Sequence, residues 1–268
     1  MSLMFIINSV KKLVFNQIFP RGKQYVHNLN LQQKFEKHFT DSRKICVWYQ
    51  EQKVWQNSKG TVILAHPYLK EAKLFFANQS HKDIYLQNGF NVVIFDFNGF
   101  GESKFNDFHF DKDIDEVVSW IKMYHHTSII IGHGISFGAS QLIVQCSKNT
   151  GQFSGLVIEN CIDKSLHYFK RRNLKVYYFL KFIQVINPSY KSNSDFVSLM
   201  KNIHHLKSVA FIYGEEDTVT TPEMGNKLMA KCKVPYQSFT GKKSHLKAIE
   251  EKNVYGPFLE KFLRPLTL

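Results

Sequence analysis

One serine stands where a nucleophile would. It lies in Ser128-Ile129-Ile130-Ile131-Gly132-His133-Gly134-Ile135-Ser136-Phe137-Gly138-Ala139-Ser140. The stretch begins as a β-branched apolar run, the pattern of a fully buried strand. It passes through Gly134, Ser136 and Gly138, then continues as Gln141-Leu142-Ile143-Val144-Gln145-Cys146, which reads as a helix. A serine held in a sharp strand-to-helix turn carries a strained backbone. Side chains two positions before and after it would collide, so both positions are glycine. The helix that follows points its N-terminus at the serine, where free N–H groups stabilise an oxyanion. The plainer alternative is a glycine-rich turn with an exposed serine. The strand before and the helix after favour the nucleophile.

A serine hydroxyl attacks poorly at neutral pH. It needs a neighbouring base, and the base needs an acid to fix its tautomer and stabilise its cation. Asp217 and His245 each fall just past a predicted strand, and His245 is the last histidine of the chain. Glu216 and Asp163 are rival acids, and Asp217 also suits a turn or a helix cap. His66 and His133 are poorer bases because their positions within their motifs read as structural.

These residues need a scaffold, and the chain supplies an alternating one. Ile45–Gln50 reads as an early strand, with Lys53-Val54-Trp55 as a hairpin partner. Thr61–Ala65 and Val92–Phe97 are buried strands, separated by a helix over Glu71–Gln87 that Asn88-Gly89 ends. Asp113–Ile121 is an amphipathic helix with acids in its first turn. After the elbow, strands follow at Leu156–Asn160, Val209–Tyr213 and Val234–Phe239. Helices follow at Pro222–Lys231 and about Val254–Phe262. Strands alternating with helices predict an α/β protein, a mostly parallel central sheet with helices on both faces. In such sheets the site lies at the carboxyl ends of the strands.

Two segments stand outside this pattern. Residues 163–205 hold an aromatic and basic run from Tyr168 to Phe182, placed to form a small helical cap over the site or an ordinary crossover helix. Its aromatics either line an acyl pocket or enter an anionic membrane surface with the basic heads at the phosphates. Residues 1–30 read as an N-terminal amphipathic helix and linker, with 31–268 as a single domain. Leu3, Ile6, Ile7, Val10, Leu13 and Val14 recur at helical spacing beside Lys11 and Lys12. The helix is too short and too charged to span a bilayer, and it lacks the layout of a signal peptide. It either packs on the domain or lies on a membrane surface with its lysines at the headgroups.

The net charge of +13 admits an anionic lipid surface as a partner, and no nucleic-acid motif accompanies it. Cysteines at 46, 146, 161 and 232 have no metal-site spacing and read as free thiols in a reducing compartment such as the cytoplasm. The histidine pairs bring no ligand set, so neither a metal nor a cofactor is expected.

From about residue 43 onward the chain resembles the α/β-hydrolase superfamily, nearest its small esterases, lipases, monoacylglycerol-lipase-like and peptidase-like members. Three signatures carry the resemblance: Asp96-Phe97-Asn98-Gly99-Phe100-Gly101-Glu102-Ser103, the Gly134–Gly138 elbow, and Gly214-Glu215-Glu216-Asp217. The superfamily's chain order of serine, acid and histidine matches Ser136, Asp217 and His245. The resemblance implies oxyanion donors at the backbone N–H groups of Tyr68 and Phe137. His66-Pro67 departs from the family's His-Gly, but proline there replaces no donor. The implied reaction is hydrolysis of a carboxylic ester or thioester of an apolar acyl group through an acyl-serine. The substrate would be a small molecule or a lipid. Amide or peptide cleavage, or a silent hydrolase-like binding protein, are the alternatives.

Overall fold

The computed structural model describes residues 12, 15, 16, 29–125, 127–148, 151–186, 191 and 193–267. The chain divides into two compact units, Met1–Ser128 and Ile129–Leu268.

The first unit carries β1 (Glu36–Phe39), β2 (Cys46–Gln50), β3 (Gly60–Ala65) and β4 (Phe90–Phe95), laid out as β1-β2-β4-β3. β2 runs antiparallel to both its neighbours, whereas β3 and β4 are parallel. Every residue of β3 and β4 is buried, as their apolar runs require. The hairpin partner of β2 is β1, not Lys53–Trp55. Gln52 explains the difference. Its side chain accepts from the N–H groups of Val54 and Trp55 and donates to the Trp55 carbonyl, so these backbone groups are used up in a local loop.

The helix predicted over Glu71–Gln87 is two short ones, α1 (Leu74–Asn78) and α2 (His81–Gln87), because Gln79 is extended at ψ 158°. α3 (Phe110–His125) is longer than predicted and buries Ile114, Val117, Val118 and Ile121. The amphipathic helix predicted within residues 1–30 lies outside the described residues except at 12, 15, 16, 29 and 30, which are helical. Phe15 is buried, with its ring 4.4 Å from that of Phe105 and 5.8 Å from that of Phe100. At that position the segment packs on the domain.

The second unit carries β5 (Ile130–Ile135), β6 (Gly155–Glu159), β7 (Ser208–Gly214) and β8 (Tyr236–Gly241), parallel and in sequence order. α4 (Phe137–Lys148) follows β5. α5 (Ser165–Arg172), α6 (Leu174–Ile186) and α7 (Phe196–Met200) fill the predicted cap stretch between β6 and β7. α8 (Pro222–Met229) begins with proline at its first turn, where no N–H is needed, and α9 (Lys252–Leu263) follows β8. β8 starts after Pro235 rather than at Val234, because proline cannot donate to the ladder. All four cysteines are free thiols.

Candidate active site

Parallel strands put their carboxyl ends on one edge, so the loops after β5, β7 and β8 emerge together. Ser136 is the first residue beyond β5. Its φ of +54° is left-handed, a conformation that costs a non-glycine residue on the order of 1–2 kcal/mol. Two backbone bonds help to hold it there. Its N–H donates to the Glu159 carbonyl at 2.8 Å, and its carbonyl accepts from the Ser140 N–H at 3.1 Å. A Cβ at Gly134 would sit 2.5 Å from the Ala139 nitrogen, so the elbow glycine is a requirement of space. Phe137, half-buried, opens α4 directly after the serine.

Asp217 and His245 meet. Nδ1 of His245 donates to Oδ2 of Asp217 at 2.7 Å. A carboxylate only accepts, so the shared proton sits on Nδ1 and leaves Nε2 as the basic nitrogen. The carboxylate is almost wholly enclosed, and its other acceptor positions are filled. Oδ1 takes the N–H groups of Val219 and Thr220, at 2.7 and 2.8 Å. Oδ2 also takes the Asn160 amide at 2.8 Å and the Thr220 hydroxyl at 2.5 Å. Burial pushes the Asp217 carboxyl up, but His245 and the Thr220 donors outweigh it and hold it below its ordinary value. Asp217 is therefore an anion aimed at the imidazole.

The rival acids are engaged elsewhere. Asp163 pairs with Lys227 at 2.7 Å and with His167 at 3.3 Å. Glu216 is exposed. The rival histidines are structural. His66 is fully buried between the Pro67 carbonyl at Nδ1 and the Phe97 N–H at Nε2, and burial pulls its pKa down to about 4. His133 lies 3.1 Å from the Glu159 carboxylate, which also accepts from the Tyr255 hydroxyl.

Tyr68 lies in the first unit, half-buried, its ring edge-on to Phe100 at 6.0 Å. The same unit explains the Asp96–Ser103 signature. The Asp96 carboxylate accepts from the N–H groups of Lys73 and Glu102 and from the Lys73 ammonium. Gly101 has a φ of +49°, and a side chain there would strike that carboxylate. Ser103 donates to the Asp96 carbonyl and accepts from the Cys46 N–H. The signature is thus a loop scaffold. Lys73 Nζ also bonds Glu102 at 2.9 Å, and Lys37 bonds it as well. Burial pushes the Glu102 carboxyl up, but the two lysines prevail and hold it down to about 2. Cys46, Asp96 and Glu102 present ligand atoms within 4.8 Å of one another, and the Lys73 ammonium already contacts both carboxylates.

Several positioning residues escape a reading of the sequence. Asn160 directly follows β6 at a φ of +49°, which asparagine tolerates better than most residues. Thr220 lies three residues after the acid, the spacing of a side chain closing its own turn, and that was its available signal. Glu251 accepts from the N–H groups of Lys242 and Lys243 and so clasps the loop that carries His245. Gly214 abuts the Lys243 carbonyl: a Cβ there would overlap that oxygen. Only a glycine lets the acid loop and the histidine loop pass so closely. Gly214→Ala is expected to part them and, in the ester hydrolysis proposed below, to cut turnover by roughly 100-fold, since displacements near 1 Å carry that cost. Parallel kinetics and thermal melts check this. Unchanged turnover would mean the contact does not set the pair's geometry.

The mostly parallel strands with helices packed around them are those of the α/β-hydrolase fold, and solved structures share that fold. An esterase of Pyrococcus furiosus matches with a TM-score of 0.70 at 19% identity, over 91% of this chain and 96% of its own. A Xanthomonas campestris α/β serine hydrolase without a lid matches at 0.60 and 14%, over 87% of this chain and 94% of its own. An enol-lactonase of Burkholderia xenovorans matches at 0.60 and 14%, over 85% of this chain and all 100% of its own. No protein-family model and no curated protein matches the sequence.

Proposed function

We propose that the protein is a serine hydrolase that cleaves a carboxylic ester or thioester of an apolar acyl group. One observation carries the reading: a buried, anionic Asp217 bonded to His245, on the strand edge where Ser136 is held in a strained elbow. Neither feature helps a protein merely to fold. A left-handed serine and an enclosed carboxylate both cost stability.

In this mechanism Nε2 of His245 takes the proton of Ser136 as Oγ attacks the acyl carbon. Asp217 stabilises the imidazolium. The backbone N–H of Phe137, at the head of α4, receives the oxyanion, worth roughly 10²–10³ in rate. The imidazolium then protonates the departing alcohol or thiol, leaving an acyl-serine. Water, activated by the same imidazole, attacks the acyl carbon and returns the serine hydroxyl.

A fluorophosphonate probe is expected to label Ser136 and no other serine, read by peptide mass spectrometry. A series of p-nitrophenyl esters of rising chain length is expected to show kcat/KM climbing with acyl length. Absence of labelling together with absence of turnover would leave a hydrolase-like binding protein. Labelling with a flat chain-length profile would remove the apolar acyl group from the reading.

A further inference from the structure

We infer that the outer face of α6 docks the protein on an anionic phospholipid surface. Leu174, Tyr178, Phe182 and Val185 are 57%, 66%, 61% and 81% exposed, although all are large and apolar. At 3.6 residues per turn these four fall within an arc of about 80°, one unbroken stripe along the helix. The same helix half-buries Val176, Tyr177, Phe179 and Leu180 on its other side, so α6 is already packed and the stripe is additional to that packing. Scattered exposed apolar residues need no explanation, but an aligned row of them does.

The borders of the stripe name the occupant. Lys181 lies just beyond one edge of the arc and Lys175 just beyond the other, both exposed. Lysines flanking an apolar stripe suit an interface where the stripe enters the acyl region and the ammonium groups reach back to phosphates. Charge around the helix agrees. Between Asp163 and Asp195 the chain has seven lysines and arginines and not one aspartate or glutamate. Lys170, Arg171 and Arg172 crowd the last turn of α5, immediately before α6, and all three are exposed. Basic residues beside a membrane are attracted to its anionic leaflet, and the attraction fades within a Debye length of about 8 Å at physiological salt. Among the described residues no helix is long and apolar enough to cross a membrane, so the contact is peripheral. The inference rests on the cap alone and does not depend on the reaction proposed above.

Flotation of the full-length protein with vesicles tests it. Phosphatidylcholine vesicles containing phosphatidylserine are expected to carry the protein upward, pure phosphatidylcholine vesicles far less, and high salt should release it. Tyr178→Ser/Phe182→Ser/Val185→Ser is expected to lower binding by roughly tenfold or more. Lys175→Glu/Lys181→Glu should do the same while leaving the apolar stripe in place. Circular dichroism and thermal melting should stay as in the wild type for both. If the triple variant misfolds, the charge variant carries the test. Wild-type binding indifferent to lipid charge, or variants that float like the wild type, would overturn the inference. So would a wild-type dimer on gel filtration that the triple variant abolishes, with no vesicle binding, since the stripe would then face a second copy.

Discussion

Ser136→Ala is expected to lower turnover of an activated ester by roughly 10⁵-fold or more while the protein stays folded. Alanine removes the attacking oxygen and keeps the Cβ, so the left-handed strain at φ +54° is unchanged. The thermal midpoint should therefore move little. A companion variant separates function from architecture. Ser136→Gly should be equally inactive, yet at least as stable as the wild type, because glycine occupies the left-handed region freely. Measured kcat and melting curves for the pair decide the matter. Substantial activity in a contamination-free Ser136→Ala sample would sink the acyl-serine mechanism. A Ser136→Gly variant that melts well below the wild type would show that the elbow is not strained for chemistry.

The second large effect concerns the acid. Asp217→Asn should cost roughly 10⁴-fold in turnover, the scale seen when a buried triad carboxylate becomes an amide. The amide reverses one edge of the site: an NH₂ group faces donors from His245, Asn160 or Thr220 that the carboxylate had accepted. The imidazole loses its reason to carry the proton on Nδ1, and Nε2 ceases to be a base. Asp163→Asn should stay within a few-fold of the wild type, because its partners are Lys227 and His167. Glu216→Gln should change little, since that side chain is exposed. Steady-state kinetics on the three variants ranks them. If Asp163→Asn were the most damaging, the acid would belong after β6 rather than after β7.

Much of this layout was legible before any coordinates, for a physical reason. β3, β4, β5, β6 and β7 are buried along their whole length, so their apolar runs leave no ambiguity. The elbow was legible because the space beside Ser136 tolerates only glycine at position 134. What escaped was decided by distant partners or by exposure. β1 reads Glu-Lys-His-Phe and is a largely exposed strand with no apolar pattern. Gln52 turned a plausible hairpin strand into a loop through its own side chain. Lys73 looks like any helix lysine until Asp96 and Glu102 arrive from further along the chain. Asn160, Thr220 and Glu251 support the pair at Asp217 and His245 from three separate elements. The run from Tyr168 to Phe182 was open to a membrane-facing reading from its composition, but which of its aromatics lie exposed was not legible, because periodicity shows that a helix has faces but not which one is covered.

The clasp of Glu251 on Lys242 and Lys243 bears on when the protein becomes competent. A chain emerging from the ribosome forms its elbow long before the histidine loop has been made. Glu251 comes later still, directly ahead of α9. In the reaction proposed above, the serine hydroxyl would have no base until that stretch is out and docked. On that mechanism, the onset of turnover would report the completion of folding around β8.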